Sequence, residues 1–301
     1  MLVLGIDIGG GSVKAAATRD GQLVGTSRSP AYRHPTLAQL GAAIRTAVDG
    51  LGNRGEFDTV GLCVPGLLDD SRRCVLQSVN LPALVGARLD HLLAQSLDVS
   101  LPALGRLVPV TDAQATAHDL YISFALKGRL FALVIGTGVG AAVMDQTGPL
   151  RVDGDSPGHF GQVDVSLDGA APVLGPDGGA GSLEGYIGAD ALRRAYGPDL
   201  TDLPSKLGPD DPPIRALARA IRIAHAIYRP HHVYLAGGLG IRLTHLLTPL
   251  RQRVKTHLTN IARSDWTLNT GTNDFHAATG AARWAAGVAE NSLEGKDRDE
   301  E

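Results

Sequence analysis

Cysteine and aromatic side chains are scarce in this 301-residue chain, which holds two cysteines and 4 % aromatic residues. Cys63 and Cys74 can form one disulfide on paper, but a lone pair in a chain this long reads as two reduced core thiols. No apolar run reaches about 18 residues, so no membrane span is expected. Met1 leads directly into a strand carrying Asp7, which argues against a signal peptide and makes the cytoplasm the expected compartment. Net charge is −3 with no basic block, so nucleic acid is not an expected partner. Several motifs are missing too. There is no Gly-x-x-x-x-Gly-Lys-Ser/Thr phosphate loop, no Gly-x-Ser-x-Gly nucleophile elbow, no Cys-x-x-Cys and no His-Glu-x-x-His. Ten histidines are present, but His231 and His232 adjoin a strand whose successive side chains face opposite ways, a poor arrangement for sharing an ion.

Glycine, by contrast, is abundant at 38 residues and gathers at strand ends, as tight turns require. The chain is 44 % hydrophobic and 20 % charged, with length for about two domains. One pattern occurs twice. Residues 2–17 read LVLGIDIGGGSVKAAA and residues 130–144 read LFALVIGTGVGAAVM, each an apolar strand, a Gly-rich turn and a second apolar strand. Ile135 lies 127 residues after Ile8, and the same offset puts Gly9 on Gly136, Gly11 on Gly138, Ala15 on Ala142 and Gly21 on Gly148. Glycine turns let backbone N–H groups approach an anion, and two of them facing each other would grip a polyphosphate from both sides.

Further along, residues 36–51 have helical periodicity with Thr36 as N-cap, and Thr59–Val64 reads as a strand ending at Pro65-Gly66. A helix is expected near residues 86–97, a strand at Leu107–Val110 and a helix over residues 113–126. The second half adds a hairpin at residues 130–150 and a Gly/Pro/Asp-rich region at 153–181. Helices follow near residues 183–196 and 214–228, then a strand at His232–Ala236 closed by Gly237 and Gly238. Helices at about 241–259 and 277–288 complete the set, before a solvated tail from Asn291. The order implies duplicated α/β halves flanking a cleft: a lobe at 1–111, a larger one at 112–284, and a last helix, about 285–301, that packs back on the first.

Asp7 ends a buried strand directly before Gly9, Gly10, Gly11 and Ser12. It can cap the turn or serve phosphate and Mg²⁺, and the attached glycine run favours the second role. Lys14 points either to phosphate or to solvent. Gly136-Thr137-Gly138 resembles a dinucleotide turn, but Gly148-Pro149 leaves no room for the crossover helix that such a site needs. Asp112 stands at a strand-to-helix junction, where it is either an N-cap or a general base for a substrate hydroxyl.

Taken in order, these segments resemble the ROK family of bacterial sugar kinases, in the actin/hexokinase ATPase superfamily. Gly5–Lys14 resembles the first phosphate motif, usually DIGGT. Pro65–Asp69 and Ser78–Pro82 resemble VPGxVD and PNL, which lie at the sugar and bring in Gly66 and Asn80. Thr111–Ala117 resembles NDANAAA, whose Asp is the family's base, and so implicates Asp112 and Thr111. Gly136–Gly140 resembles the second phosphate motif, Ala236–Gly240 the adenosine-side GGG motif, and Thr279–Ala282 the closing LGAA helix. The resemblance spans Leu2 to about Trp284 and implies duplicated ribonuclease-H-like, actin-like ATPase domains.

Gly11 stands where DIGGT has Thr, and the other departures fall on the sugar side. The family's GExGH stands here as Gly158-His159-Phe160-Gly161-Gln162, so His159 replaces a Glu and Gln162 a His. The CxCGxxGCxE loop aligns with residues 175–184, where Gly175, Asp177 and Ser182 replace the cysteines and Glu184 is kept. No zinc site is therefore expected. The resemblance implies ATP-dependent phosphorylation of a sugar hydroxyl, a hexose 6-OH, with Asp112 as base. Mg²⁺ would associate with Asp7 through water, and the chain would form a homodimer. Asn80, His159, Gln162 and Glu184 would bind sugar hydroxyls. The rivals are a degenerate member that senses sugar or nucleotide, a sugar-responsive repressor, and a kinase using polyphosphate.

Overall fold

Central strands covered on both faces must be apolar throughout, and β1 (Leu2–Ile8) is buried at every position after its first. The computed structural model describes residues 1–52, 57–100, 104–152, 154, 156–169, 171–176 and 178–298, with side chains to 290; Asp177 lies outside them. The chain divides into two units, Met1–Asp119 with Phe275–Glu301, and Leu120–Asp274.

In the first unit, β1, β2 (Val13–Arg19) and β3 (Gln22–Arg28) form an antiparallel meander. There follow α1 (Leu37–Asp49), β4 (Thr59–Cys63), the small hairpin β5 (Leu67–Leu68) and β6 (Val75–Gln77), α2 (Leu89–Leu97), β7 (Arg106–Val110) and α3 (Asp112–Ser123). Thr36 caps α1 as expected, in a full capping box with Gln39. β4 and β7 run parallel to β1, giving the sheet order β3-β2-β1-β4-β7.

The second unit repeats that plan. β8 (Leu130–Ile135), β9 (Val139–Asp145) and β10 (Gly148–Pro149) form the meander. Helices α4 (Leu183–Ile187), α5 (Ala189–Tyr196), α6 (Leu203–Lys206) and α7 (Pro212–Tyr228) intervene before β11 (His232–Ala236). After it come α8 (Gly237–Gly240), α9 (Leu247–Thr256) and β12 (Thr267–Thr270). The order is β10-β9-β8-β11-β12, so each sheet reads 3-2-1-4-5 in its own strands. The sequence duplication is therefore a duplication of topology.

Its register differs from the sequence offset. Ile8 faces Val13 across the first turn, whereas Ile135 faces Val139 across the second. The second turn is one residue shorter, so in the returning strand Val13 matches Val139 and Lys14 matches Gly140. The burial patterns agree, BiBBBBe for β2 and BiBBBBi for β9. The sequence match of Ala15 to Ala142 and Gly21 to Gly148 is thus displaced by one position.

Other expected elements are adjusted. The helix over 183–196 breaks at Gly188, whose ψ of 152° is extended. The one over 241–259 opens as a 3-10 turn at Ile241–Leu246. β12 escaped the sequence because Leu268 is its single core residue, and pairing with β11 is what makes it a strand. The last helix, α10 (His276–Arg298), runs past Asn291, where a tail was expected: Glu, Lys and Arg extend a helix without needing a core.

α10 packs on the β1–β4 face of the first sheet through Ala278, Ala281, Ala282 and Ala285, all fully buried. Gly5 and Gly61 are register partners beneath it, and a Cβ on either would lie 1.9–2.0 Å from a helix carbonyl oxygen. On another face of α10, a Cβ on Gly280 would lie 1.8 Å from the Ala115 carbonyl oxygen of α3. Asp119 of α3 joins the same helices, accepting from His276 Nδ1 at 2.5 Å and Arg283 Nη1 at 2.6 Å. Cys63, buried, and Cys74, half-buried, are free thiols.

The second unit's core contains a misfit. His225 of α7 is 1 % exposed, packs edge-on against Trp266 at 4.5 Å, and neither ring nitrogen has a hydrogen-bond partner among the described residues. Burial lowers its pKa to about 4. Its folded-state pKa is depressed, so stability is lost as pH falls from about 6.5 towards 4, where the unfolded chain binds the extra proton. We expect His225→Phe to raise stability by about 1–2 kcal/mol at neutral pH, and more below pH 6, by removing unpaired polar atoms. Melting curves at two pH values check this; an unchanged or lower melting temperature at both refutes it.

Candidate active site

The first turn, Gly9–Ser12, closes with the Gly9 N–H donating to the Ser12 carbonyl at 3.1 Å. Tyr32, just after β3, braces it. Its N–H donates to the Gly11 carbonyl at 2.9 Å and its hydroxyl to the Gly9 carbonyl at 2.5 Å. Val13 and Ser29 are bonded reciprocally, N–H to Oγ at 3.0 Å and N–H to carbonyl at 2.9 Å. The carbonyls of Gly9, Gly11 and Ser12 are thus occupied, while the N–H groups of Gly10, Gly11 and Ser12 have no partner among the described residues. Such a run of uncommitted N–H groups is an anion nest.

The second turn is built alike. Gly136 N–H donates to the Gly138 carbonyl at 2.9 Å, and Ala189 N–H at the start of α5 holds the carbonyls of Gly136 and Thr137 at 3.0 and 3.1 Å. The N–H groups of Thr137 and Gly138 have no partner among the described residues. Glu184, buried on α4, accepts the Val139 N–H at 2.6 Å and fixes the root of the turn. The His159–Gln162 segment is pressed on the same strand, for a Cβ on Gly161 would lie 2.1 Å from the Val139 carbonyl oxygen. His159 and Gln162 themselves are exposed. Gly237, at φ +77°, adjoins this turn: a Cβ there would lie 2.5 Å from the Ile135 carbonyl oxygen, whereas Gly238 borders open space. Gly136–Gly138, residues 158–162, Glu184 and Gly237 therefore gather at one end of the second sheet.

In the first unit, Thr111 takes the capping position considered for Asp112. The Thr111 hydroxyl accepts the Gln114 N–H at 3.2 Å, which is the N-cap bond of α3. Asp112 stands one residue inside the helix, with Oδ1 accepting the adjacent Ala113 N–H at 2.8 Å. Its pKa is pushed up to about 6, by burial first and then by the Asp7 carboxylate, against a smaller opposing pull from Lys14. Asp7 does not cap the turn. Its Oδ2 accepts from Lys14 Nζ at 3.1 Å across the hairpin, where the two are register partners. Cys63, fully buried on neighbouring β4, has its thiol pKa raised by burial and by both carboxylates, so Asp7, Asp112 and Lys14 form one charge cluster.

In the first unit, Gly66 meets the Gln77–Ser78 backbone that leads to Asn80. Gly66 has φ +112° and a Cβ there would lie 2.0 Å from the Gln77 carbonyl oxygen, so only glycine fits beside the segment leading to Asn80. Asn80 is half-buried. Tyr32 went unrecognised, and nothing in its sequence context marks it. Lys14 was legible in principle, since a four-residue turn puts it opposite Asp7. No group of three or more His, Cys, Asp or Glu side chains suited to a metal occurs among the described residues.

Two 3-2-1-4-5 units, each with an anion-nest hairpin turn, define the duplicated ribonuclease-H-like fold of actin-like ATPases. The ROK family profile matches residues 3–207, and the chain belongs to the ROK family. No curated protein matches the chain in sequence. Among solved structures, it is similar to a ROK family glucokinase from Streptomyces griseus in complex with glucose and AMPPNP. That match has a TM-score of 0.73 at 21% identity and covers 95% of this chain and 99% of the other. A ROK hexokinase from Thermus thermophilus matches with a TM-score of 0.67 at 22% identity, over 97% and 100% of the two chains. A ROK family transcriptional regulator, homologous to the Escherichia coli MLC protein, matches with a TM-score of 0.69 at 15% identity, over 94% and 78%.

Proposed function

We propose that this protein phosphorylates a sugar hydroxyl from ATP, a hexose 6-OH, with Asp112 as general base. The observation that carries the reading is the pair of glycine turns in which most carbonyls are tied back while the N–H groups of Gly10, Gly11, Ser12, Thr137 and Gly138 have no partner among the described residues. Phosphoryl transfer asks for positioning and charge stabilisation, which such turns supply. Gly9–Ser12 and Gly136–Gly138 are read as phosphate donors, and Gly237–Gly238 as the adenosine-side turn. Asp7 suits Mg²⁺ held through water, because its second carboxylate oxygen has no partner among the described residues. A bound Mg²⁺ would offset phosphate charge. Asp112 accepts the hydroxyl proton as the sugar oxygen attacks. Gly66, Asn80, Thr111, His159, Gln162 and Glu184 are read as the sugar side, and a homodimer as the assembly. ATP consumption across hexoses, N-acetylhexosamines and pentitols tests the reading, and no turnover on any sugar defeats it.

The pH profile is a second check. A base titrating near 6 must be ionised to act, so kcat/KM should be level above about pH 7 and fall about tenfold per unit below pH 6. A profile flat to about pH 5 removes Asp112 from the role. The exposed His159 and Gln162, where the family motif carries Glu and His, favour one alternative, a sensor that binds without turnover. Calorimetric binding of sugar and ATP with no phosphorylation would establish it.

A further inference from the structure

Tyr32 carries the only side chain among the described residues that holds a carbonyl of either glycine turn. The second turn is tied back by a main-chain group, the Ala189 N–H, which any residue but proline would supply. The first depends on a phenol. The Tyr32 ring packs against the core of the first unit, while its N–H meets the Gly11 carbonyl and its hydroxyl the Gly9 carbonyl. A tyrosine has only two side-chain torsions, so a ring seated on a core carries its hydroxyl at a fixed place. Burial and the Asp7 carboxylate raise the pKa of the phenol, which keeps it a donor at neutral pH.

The turn it holds is intrinsically loose. Gly9, Gly10 and Gly11 are consecutive, and glycine loses more conformational freedom on ordering than any other residue. Geometry does not call for glycine at 11. Its φ lies outside the left-handed region, and a Cβ there would meet nothing within 4 Å. A side chain would fit and stiffen the turn, yet the chain leaves that link bare. The N–H groups of Gly10, Gly11 and Ser12 form a nest only while the turn keeps its shape, and anion affinity falls with the fraction of molecules that have it. We infer that Tyr32 is a positioning residue for phosphoryl transfer: by pinning Gly9 and Gly11, it holds the first turn in its anion-binding shape before the nucleotide arrives. The inference rests on the phosphoryl-transfer reading above and adds to it a residue outside the glycine hairpin, acting through the turn's backbone.

Tyr32→Phe keeps the ring and removes one hydrogen bond. Calorimetry with inorganic tripolyphosphate should show binding about 3- to 10-fold weaker, and initial rates a rise of about the same size in KM for ATP. KM for the sugar should change by less than about twofold, and the melting temperature should stay within about 3 °C of wild type. A merely structural tyrosine would instead lower the melting temperature further and move both Michaelis constants together, or neither. Gly11→Ala supplies a second measurement. If Tyr32 restrains a loose turn, stiffening residue 11 should improve tripolyphosphate binding at least about threefold more in the Phe background than in the wild-type one. Equal effects in the two backgrounds overturn the inference, as does a Phe variant that binds tripolyphosphate as tightly as wild type. Where the wild-type protein still phosphorylates sugars, either result removes the role of Tyr32 alone. A wild-type protein that binds neither tripolyphosphate nor ATP removes the kinase reading and this inference with it.

Discussion

Asp112→Asn should lower sugar phosphorylation by about a thousandfold and leave the protein slightly more stable than wild type. The two effects have one cause. Burial and the Asp7 carboxylate raise the Asp112 pKa from 3.8 to about 6, so the native state holds its proton where the unfolded chain has lost it. Stability therefore falls as pH rises from 3.8 to about 6, and the deficit stays constant above that. A shift of this size corresponds to about 3 kcal/mol, and the residue's partial exposure screens much of it, leaving a gain of about 1 kcal/mol for Asn at pH 7. Asn can still accept the Ala113 N–H, so α3 keeps its start. Initial rates and a thermal melt on the same preparation test both halves. Retained turnover would exclude Asp112 as base, and a melting temperature lowered by several degrees would trace the lost activity to unfolding.

Gly61→Ala should be the most damaging conservative change in the first unit. Its Cβ would lie 2.0 Å from the Ala281 carbonyl oxygen and 2.4 Å from the carbonyl carbon, both helix backbone that no rotamer change can move. α10 cannot back away freely, because Gly280 holds it at closest approach to Ala115 of α3. Typical overpacking costs about 1–3 kcal/mol. With the helix held on a second face the cost should be at least about 3 kcal/mol, a drop of roughly 6–12 °C in melting temperature. Gly21→Ala is a control, since its surroundings are open and only its positive φ is strained. If Gly61→Ala melts no lower than Gly21→Ala, the contact does not fix α10.

The topology was legible because glycine turns and apolar strands are local signals: β1, β2, β8 and β9 could be placed from their alternation with Gly runs. What stayed hidden depends on partners distant in sequence. β12 exists because β11 offers it an edge, and Leu268 alone could not announce it. The turn lengths looked equal until pairing showed one residue fewer in the second hairpin. At the site, residue types pointed to Asp7 and Asp112, but not to which of Thr111 and Asp112 caps α3. That was decided by the hydroxyl of Thr111 reaching the Gln114 N–H. Glu184 was expected at the sugar; the structure shows it holding the Val139 N–H at the base of a turn.

The division of the chain also bears on the order in which it can fold during synthesis. Everything the second unit needs, Leu120–Asp274, emerges from the ribosome before α10 does. The first unit, though begun at Met1, has Gly5 and Gly61 uncovered until residues 277–286 are made. The usual sequence of N-terminal domain first is thus expected to be reversed here. A released chain ending at Asp274 should protect β8, β9 and β11 from proteolysis while β1 and β4 remain cleavable.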